Sequence, residues 1–425
     1  MTDCTKDTMT FRTPALIPAP QTAALRLAAL LVVGSAFSLS TLAQAPATPP
    51  PGPLTNTSVV SADGTAHITR VVPLPSVLSP EAIKAYSEPG TDAALMDPDV
   101  VRRRAATQAW QDGAGKRSQQ VYPVKITESS ISGIPVRIVD PLPDAKVGPA
   151  SGPGATADPL HYSALAGAAP TAGPEPSESI DTGRVLLCVH GGGFNSDSGS
   201  YSESIPIANL TRTRVVSVLY RLSPEHAYPA AIDDAIAVYK ELLKTYPPKK
   251  IAIYGTSAGA ILTGEIAARL KQLGLPQPAA LGVFSGIGDF AATGDSGALF
   301  TLTAFTGPLP TPGQHPEVKP GEKKTPPEYL GTADPRDPVI SPNRGDLHGL
   351  PPTLFITSSR DFLMSGTIDM ERAWLRDGVP SELVAFDGLP HAFWLNVDLP
   401  ESREAFATMA RFFLRQFARG EPVQP

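Results

Sequence analysis

Cysteine is nearly absent from this chain of 425 residues, which holds two, and charged residues make up only 18% of it. Cys4 lies in a segment read below as a removable leader. Cys188 is then left alone, so no internal disulfide is expected and the fold must rest on its apolar core. Cys188 itself sits in the apolar run Val185-Leu186-Leu187-Cys188-Val189, the setting of a buried and inert thiol. No stripe of lysine and arginine runs along the chain, and the formal net charge is -6. Both features argue against a nucleic-acid partner. No internal repeat is present, which excludes a solenoid. The mature chain contains no apolar run of the roughly 20 residues that a membrane-spanning helix needs.

What is present is a hydrophobic fraction of 42%, ample for one catalytic domain with decorations. At the start, Arg12 and Arg26 precede an apolar stretch from Leu27 to Leu39, and the small residues Ala43, Ala45 and Ala47 follow. This is the pattern of an export signal over residues 1–45, which predicts a periplasmic or secreted protein. Pro46 disfavours a cut after Ala45, so Ala43 and Ala47 remain as cleavage points. Residues 46–72 form a Pro/Ala-rich linker, expected to be poorly ordered.

Ser79 is placed to cap a helix with Pro80 at its first position, and a second helix is expected over Asp97 to Gln111. Val124 to Thr127 and Val136 to Val139 flank Ser132-Gly133 as a hairpin. Residues 143–182 read as a long surface loop. Short apolar runs then recur at 185–189, 215–219, 251–254, 281–284, 353–357 and 382–386, with helical patterns between several of them. Such alternation predicts an α/β fold, a mostly parallel sheet covered on both faces.

Two motifs carry the chemistry. Gly255-Thr256-Ser257-Ala258-Gly259 follows a strand and opens a helix. A turn that sharp exposes Ser257 as a nucleophile and requires small residues two before and two after it. Upstream, His190-Gly191-Gly192-Gly193 offers backbone N–H groups unblocked by side chains. Gly192, Gly193 and Ala258 are therefore the expected oxyanion donors, with His190 bracing the loop. A serine at neutral pH needs a base, and the base an orienting acid. Asp361 follows the strand run at 353–357, and His391 follows the next. The order Ser257, Asp361, His391 fits a triad on this kind of sheet. Asp387, Asp369 and Asp337 are the competing acids; His348, His315 and His226 follow no suitable strand.

With these motifs in place, the chain resembles the hormone-sensitive-lipase-like α/β-hydrolases, the bacterial family IV esterases. The resemblance rests on Tyr220-Arg221-Leu222-Ser223-Pro224-Glu225-His226 and the following Tyr228-Pro229-Ala230-Ala231-Ile232-Asp233-Asp234. Tyr329-Leu330-Gly331 with Asp337-Pro338-Val339-Ile340-Ser341-Pro342 adds to it, and the match spans Leu74 to Phe417. It implies an α/β-hydrolase domain over 123–425, an N-terminal helical cap over 73–122, and a candidate addition to the cap at 286–330. It also implies that Arg221, Glu225 and Asp233 are buried polar residues and ion pairs fixing the scaffold. The chain carries the threonine version of the serine motif, where aspartate is commoner. It departs from the family pattern at Ala260, at Ala392 and at Phe362, where proline is usual.

The activity implied is that of a serine carboxylesterase on a small ester of short-to-medium acyl chain, with no metal and no cofactor. Lactone hydrolysis stays open. A serine peptidase is disfavoured by the triple-glycine loop and the lack of a propeller domain. A non-catalytic ligand receptor is disfavoured because such relatives lose the histidine, which is present here. A homodimer through a sheet edge is an expectation from fold analogy alone.

Overall fold

The structure, a computed structural model, describes residues 56–87, 94–95, 97–145, 147–148, 179–292, 294–305 and 328–419. The expected export signal and most of the 143–182 loop lie outside them. Among the described residues no helix is long and apolar enough to cross a membrane.

The chain divides at Val71/Val72 into two units. The first contains a correction to the expected unstructured linker. Strands β1 (Thr57–Val60) and β2 (Ala66–Thr69) form an antiparallel hairpin. Its side chains are exposed, so no buried alternation marks it in the sequence.

The second unit is built on an eight-stranded sheet. The first elements are helices α1 (Pro80–Tyr86) and α2 (Val100–Val121). In α1 the Ser79 hydroxyl accepts from the Ala82 N–H, and Pro80 takes the first position as expected. Asp99 caps α2, accepting from the N–H groups of Val101 and Arg102. That helix starts three residues later than expected because Asp99 is its cap, and it runs past Gln111 to Val121. Gly115 is no breaker here: a Cβ on it would stand 3.0 Å from Tyr201 Cβ, so glycine lets the helix press against that ring. Strands β3 (Val124–Ile131) and β4 (Ile134–Pro141) follow, joined by Ser132 and Gly133, both at positive φ, a two-residue hairpin turn.

Next come β5 (Asp181–Val189), α3 (Ser204–Thr211), β6 (Thr213–Val218), α4 (Ala230–Leu242), β7 (Ile251–Thr256), α5 (Ala258–Gln272) and β8 (Ala280–Phe284). The last are α6 (Asp295–Leu299), β9 (Thr353–Ser358), α7 (Met364–Arg376), β10 (Ser381–Phe386) and α8 (Pro400–Ala418). The strand order is β10-β9-β8-β7-β5-β6-β4-β3. The six strands β5 to β10 are parallel; β4 and β3 are antiparallel additions at one edge.

Burial explains why the parallel strands read as unbroken apolar runs. Along β5, Val185, Leu187 and Val189 join the core with α4, α5 and α7. Leu186 and Cys188 join the opposite core with α3 and α8. Both faces of the 185–189 run are covered, and every position in it is apolar. The chain leaves β5 towards β6 on one side and returns to β7 on the other. Loops leaving the carboxyl ends of β5 and β7 therefore diverge and open a crevice, the usual ligand position in such sheets. The triple-glycine loop follows β5, and Ser257 follows β7.

Candidate active site

Ser257 sits at φ 58° and ψ -121° between β7 and α5. A non-glycine residue in this region costs about 1–3 kcal/mol and persists only when its surroundings impose it. Here they do: the Ser257 N–H is held by the Phe284 carbonyl at 2.9 Å. A Cβ on Gly255 would come 2.2 Å from the Val189 carbonyl oxygen and 2.6 Å from Gly259 C. One on Gly259 would come 1.9 Å from that same oxygen. Both glycines thus answer to the end of β5 as well as to each other.

The loop after β5 turns on Gly192 (φ 113°) and Gly193 (φ 61°). A Cβ at Gly192 would lie 2.1 Å from the Ser196 carbonyl oxygen. The Gly192 carbonyl is occupied by the N–H groups of Asn195 and Ser196. Neither the Gly192 nor the Gly193 N–H finds an acceptor among the described residues, so both can serve a substrate oxygen. His190 is buried with its Nδ1 against the Gly191 carbonyl at 2.8 Å and its ring stacked on Tyr220. It braces the loop.

Asp361 and His391 leave the carboxyl ends of β9 and β10. His391 Nδ1 lies 2.8 Å from Asp361 Oδ1, and both residues are buried. The carboxylate also accepts from the hydroxyls of Ser285 and Thr357 and from the Leu363 N–H. Burial alone would raise the Asp361 pKa; the His391 ring and these donors outweigh it and hold the carboxyl below its ordinary value. Phe362, in place of the usual proline, packs its ring 4.6 Å from that of His391. Of the competing acids, Asp387 accepts from Ser359, Asp369 from Asn343 and Asp337 from the Val339 N–H. His348 is exposed beside Asp346, and His315 lies outside the described residues.

Ser257, His391, Gly192, Gly193 and Ala258 all line one cavity of about 860 Å³. Trp110 from α2 and Phe305 from the segment after α6 wall it. Much of the 286–330 stretch lies outside the described residues.

Residues 186–395 match the family model described as the alpha/beta hydrolase fold. An acetyl-hydrolase of Streptomyces hygroscopicus is 35% identical over 249 residues, 57% of this chain and 78% of the relative. An esterase of Acinetobacter venetianus is 30% identical over 252 residues, 56% and 78% of the two chains. Among solved structures, esterase E25 aligns with a TM-score of 0.61 at 26% identity, covering 82% of this chain and 97% of that one. A bacterial hormone-sensitive-lipase-family esterase shares the fold, with a TM-score of 0.56 at 24% identity over 75% and 96% of the chains. The chain belongs to the α/β-hydrolases, in a family with acetyl-hydrolases and esterases. It is accordingly a carboxylic ester hydrolase.

In this esterase, three bonds that sequence reading did not find tie the site together. Glu203, fully buried at the start of α3, accepts from the Gly191 N–H at 3.0 Å and from the Thr256 N–H at 3.1 Å. One carboxyl group thus spans the triple-glycine loop and the residue before Ser257. The Thr256 hydroxyl accepts from the Trp394 indole N–H at 3.2 Å, linking the serine turn to the histidine loop. That bond gives a physical use for threonine where the family commonly has aspartate.

Glutamine at position 203 could accept from only one of the two N–H groups and would aim a donor at the other. We expect Glu203→Gln to cost about 1–3 kcal/mol of stability and to lower kcat by displacing the loop. Burial pushes the Glu203 carboxyl up to about 8, against the pull of the Gly191 and Thr256 N–H groups. Above the ordinary value of 4.5 the unfolded chain releases a proton that the folded protein still holds. Stability should therefore fall as pH rises from 4.5 towards 8. Calorimetry across that range should show a decline in Tm for the wild type and a flatter one, from a lower start, for the variant. Equal slopes would contradict this role.

The expected ion pairs need correction. Arg221 pairs with Asp234 at 2.8 Å, and Asp234 is the buried partner; Asp233, one position along α4, faces outward. Arg221 and Glu225 are exposed. Glu225 pairs with Arg104 of α2, whose Nε also donates to the Asn195 carbonyl at 2.6 Å. The N-terminal helix thus braces the triple-glycine loop. Asp346, His348 and Asp377 cluster as metal-ligating types, but Lys271 already pairs with Asp346 at 2.7 Å, and none of the three lines the cavity.

Proposed function

We propose that this esterase hydrolyses short-to-medium acyl esters through an acyl-enzyme on Ser257, with His391 as base and Asp361 as its orienting acid. The observation that carries this is the 2.8 Å bond from His391 Nδ1 to Asp361, with His391 lining the same cavity as Ser257. With its Nδ1 proton committed to Asp361, the imidazole presents an unprotonated Nε2 to the serine. Ser257 Oγ attacks the ester carbonyl while His391 takes its proton. The N–H groups of Gly192, Gly193 and Ala258 hold the oxyanion. His391 then protonates the leaving alcohol, and water attacks the acyl-enzyme with His391 again as base.

The cavity walls support a limited acyl length. Across p-nitrophenyl esters from acetate to palmitate, kcat/KM should peak at short or medium chains and fall steeply towards palmitate. A continuous rise to palmitate would overturn the substrate assignment. We also propose export to the periplasm or medium, supported by the apolar stretch Leu27 to Leu39 behind Arg12 and Arg26. Recovery of a shortened chain outside the cytoplasm tests it.

A further inference from the structure

The cavity at Ser257 is mostly apolar, yet among the described residues two arginines line it, Arg103 and Arg360, against a single carboxylate, Glu328. Arg360 immediately precedes Asp361 and is 8% exposed. Its Nη2 donates to the Pro73 carbonyl at 2.6 Å, and its guanidinium lies 5.0 Å from the centre of the Phe305 ring. Those are its partners among the described residues, and neither is an anion. Asp387, the acid whose charge acts on it, accepts from the Ser359 hydroxyl. Arg103 donates from Nη1 to the Asp97 carbonyl, and its Nη2 stays 3.8 Å from the half-exposed Glu328. Its Nε is buried without a partner.

A desolvated cation without a counter-charge is costly, and guanidinium is the side chain whose planar donors match a carboxylate. Burial lowers the Arg360 pKa, with Asp387 pulling the other way, as expected of a cation short of anionic company. A bound anion would complete the set. Resting on the esterase reading above, we infer that Arg360, assisted by Arg103, forms an anion subsite and that the preferred substrates are esters bearing a free carboxylate. The carboxylate could enter on the acyl side, as in a monoester of a dicarboxylic acid, or on the alcohol side. The chemistry recognised is the same.

The test uses the full chain and pairs of esters matched in length. On the acyl side, the mono-p-nitrophenyl ester of glutaric acid is compared with p-nitrophenyl pentanoate. On the alcohol side, 4-carboxyphenyl butyrate is compared with phenyl butyrate. In one arm the carboxylated ester should be favoured in kcat/KM by about ten- to a hundredfold, the range of a charge-assisted hydrogen bond. Arg360→Gln should cut that ratio at least about tenfold, Arg360→Lys should keep part of it, and rising ionic strength should shrink it in the wild type. Binding of the same esters to Ser257→Ala, followed by calorimetry, reads the subsite independently of turnover. Ser257-dependent hydrolysis of neutral esters with no carboxylate preference in either arm overturns the subsite and leaves the esterase reading intact. A preference unchanged in Arg360→Gln also overturns it. Loss of all hydrolysis with selective binding retained would instead sink the mechanism and keep the subsite.

Discussion

Ser257→Ala should abolish ester hydrolysis, lowering kcat by at least about 10⁴-fold and towards 10⁶-fold, while the protein unfolds at an unchanged temperature. The size of the loss follows from covalent catalysis, which the variant cannot carry out. On the proposed mechanism, what survives should come from the N–H groups of Gly192, Gly193 and Ala258, which would polarise the carbonyl whether or not a serine is present. Stability should be spared because the Ser257 side chain makes no hydrogen bond among the described residues; its backbone N–H does, to Phe284. Steady-state kinetics beside a melting curve separates the two readouts. A variant retaining a tenth of the wild-type rate would remove Ser257 from the mechanism.

Asp361→Asn should cost about 10⁴-fold in kcat with little change in KM. The substitution is nearly isosteric: with the amide oxygen kept towards the Ser285 and Thr357 hydroxyls, the amide nitrogen takes the Oδ1 position beside His391 Nδ1, at the loss of the bond from the Leu363 N–H. What changes is the tautomer. An amide N–H facing His391 Nδ1 would make that nitrogen the acceptor and move the ring proton to Nε2, facing the serine it should deprotonate. The acid limb of stability should change too. The Asp361 pKa is held below its ordinary value, so the wild type gains stability above the usual carboxylate range and loses it as pH falls through the folded pKa. Asp361→Asn should lack that loss. Asp387→Asn is the matched control, since Asp387 serves Ser359 and the turn at Gly388. A large kinetic defect there with a mild one at Asp361 would reverse the assignment of the acid.

Much of the fold was legible in the sequence for one physical reason. The inner parallel strands are buried on both faces and read as largely apolar runs; all six expected runs from 185–189 to 382–386 fall in strands, the last at the sheet edge with Glu382, Leu383 and Ala385 exposed. The hairpin at 57–69 was not legible because neither face of it is buried. Helix α2 overran its expected end through two glycines, Gly113 facing open space and Gly115 pressed against Tyr201, far along the chain. The same holds at the site. Local motifs named the residues that the cavity brings together, because the sharp turn at Ser257 and the glycine loop are themselves local devices. Glu203, Trp394 and Arg104 were missed because each acts across the fold: Glu203 on Thr256, Trp394 on Thr256, and Arg104 on the Asn195 carbonyl. Asp234 was missed by a single position. One residue along a helix turns a side chain by about 100°, enough to exchange a buried partner for an exposed neighbour.

The most direct test of the mechanism is covalent trapping. The folded protein is treated with a diethyl phosphate ester carrying a p-nitrophenolate leaving group, and the peptides are weighed. One diethylphosphoryl group should appear on the peptide holding Ser257, in step with the loss of hydrolysis, and none on the Ser257→Ala protein. Label on another residue, or hydrolysis that continues in fully labelled protein, would contradict an acyl-enzyme on Ser257.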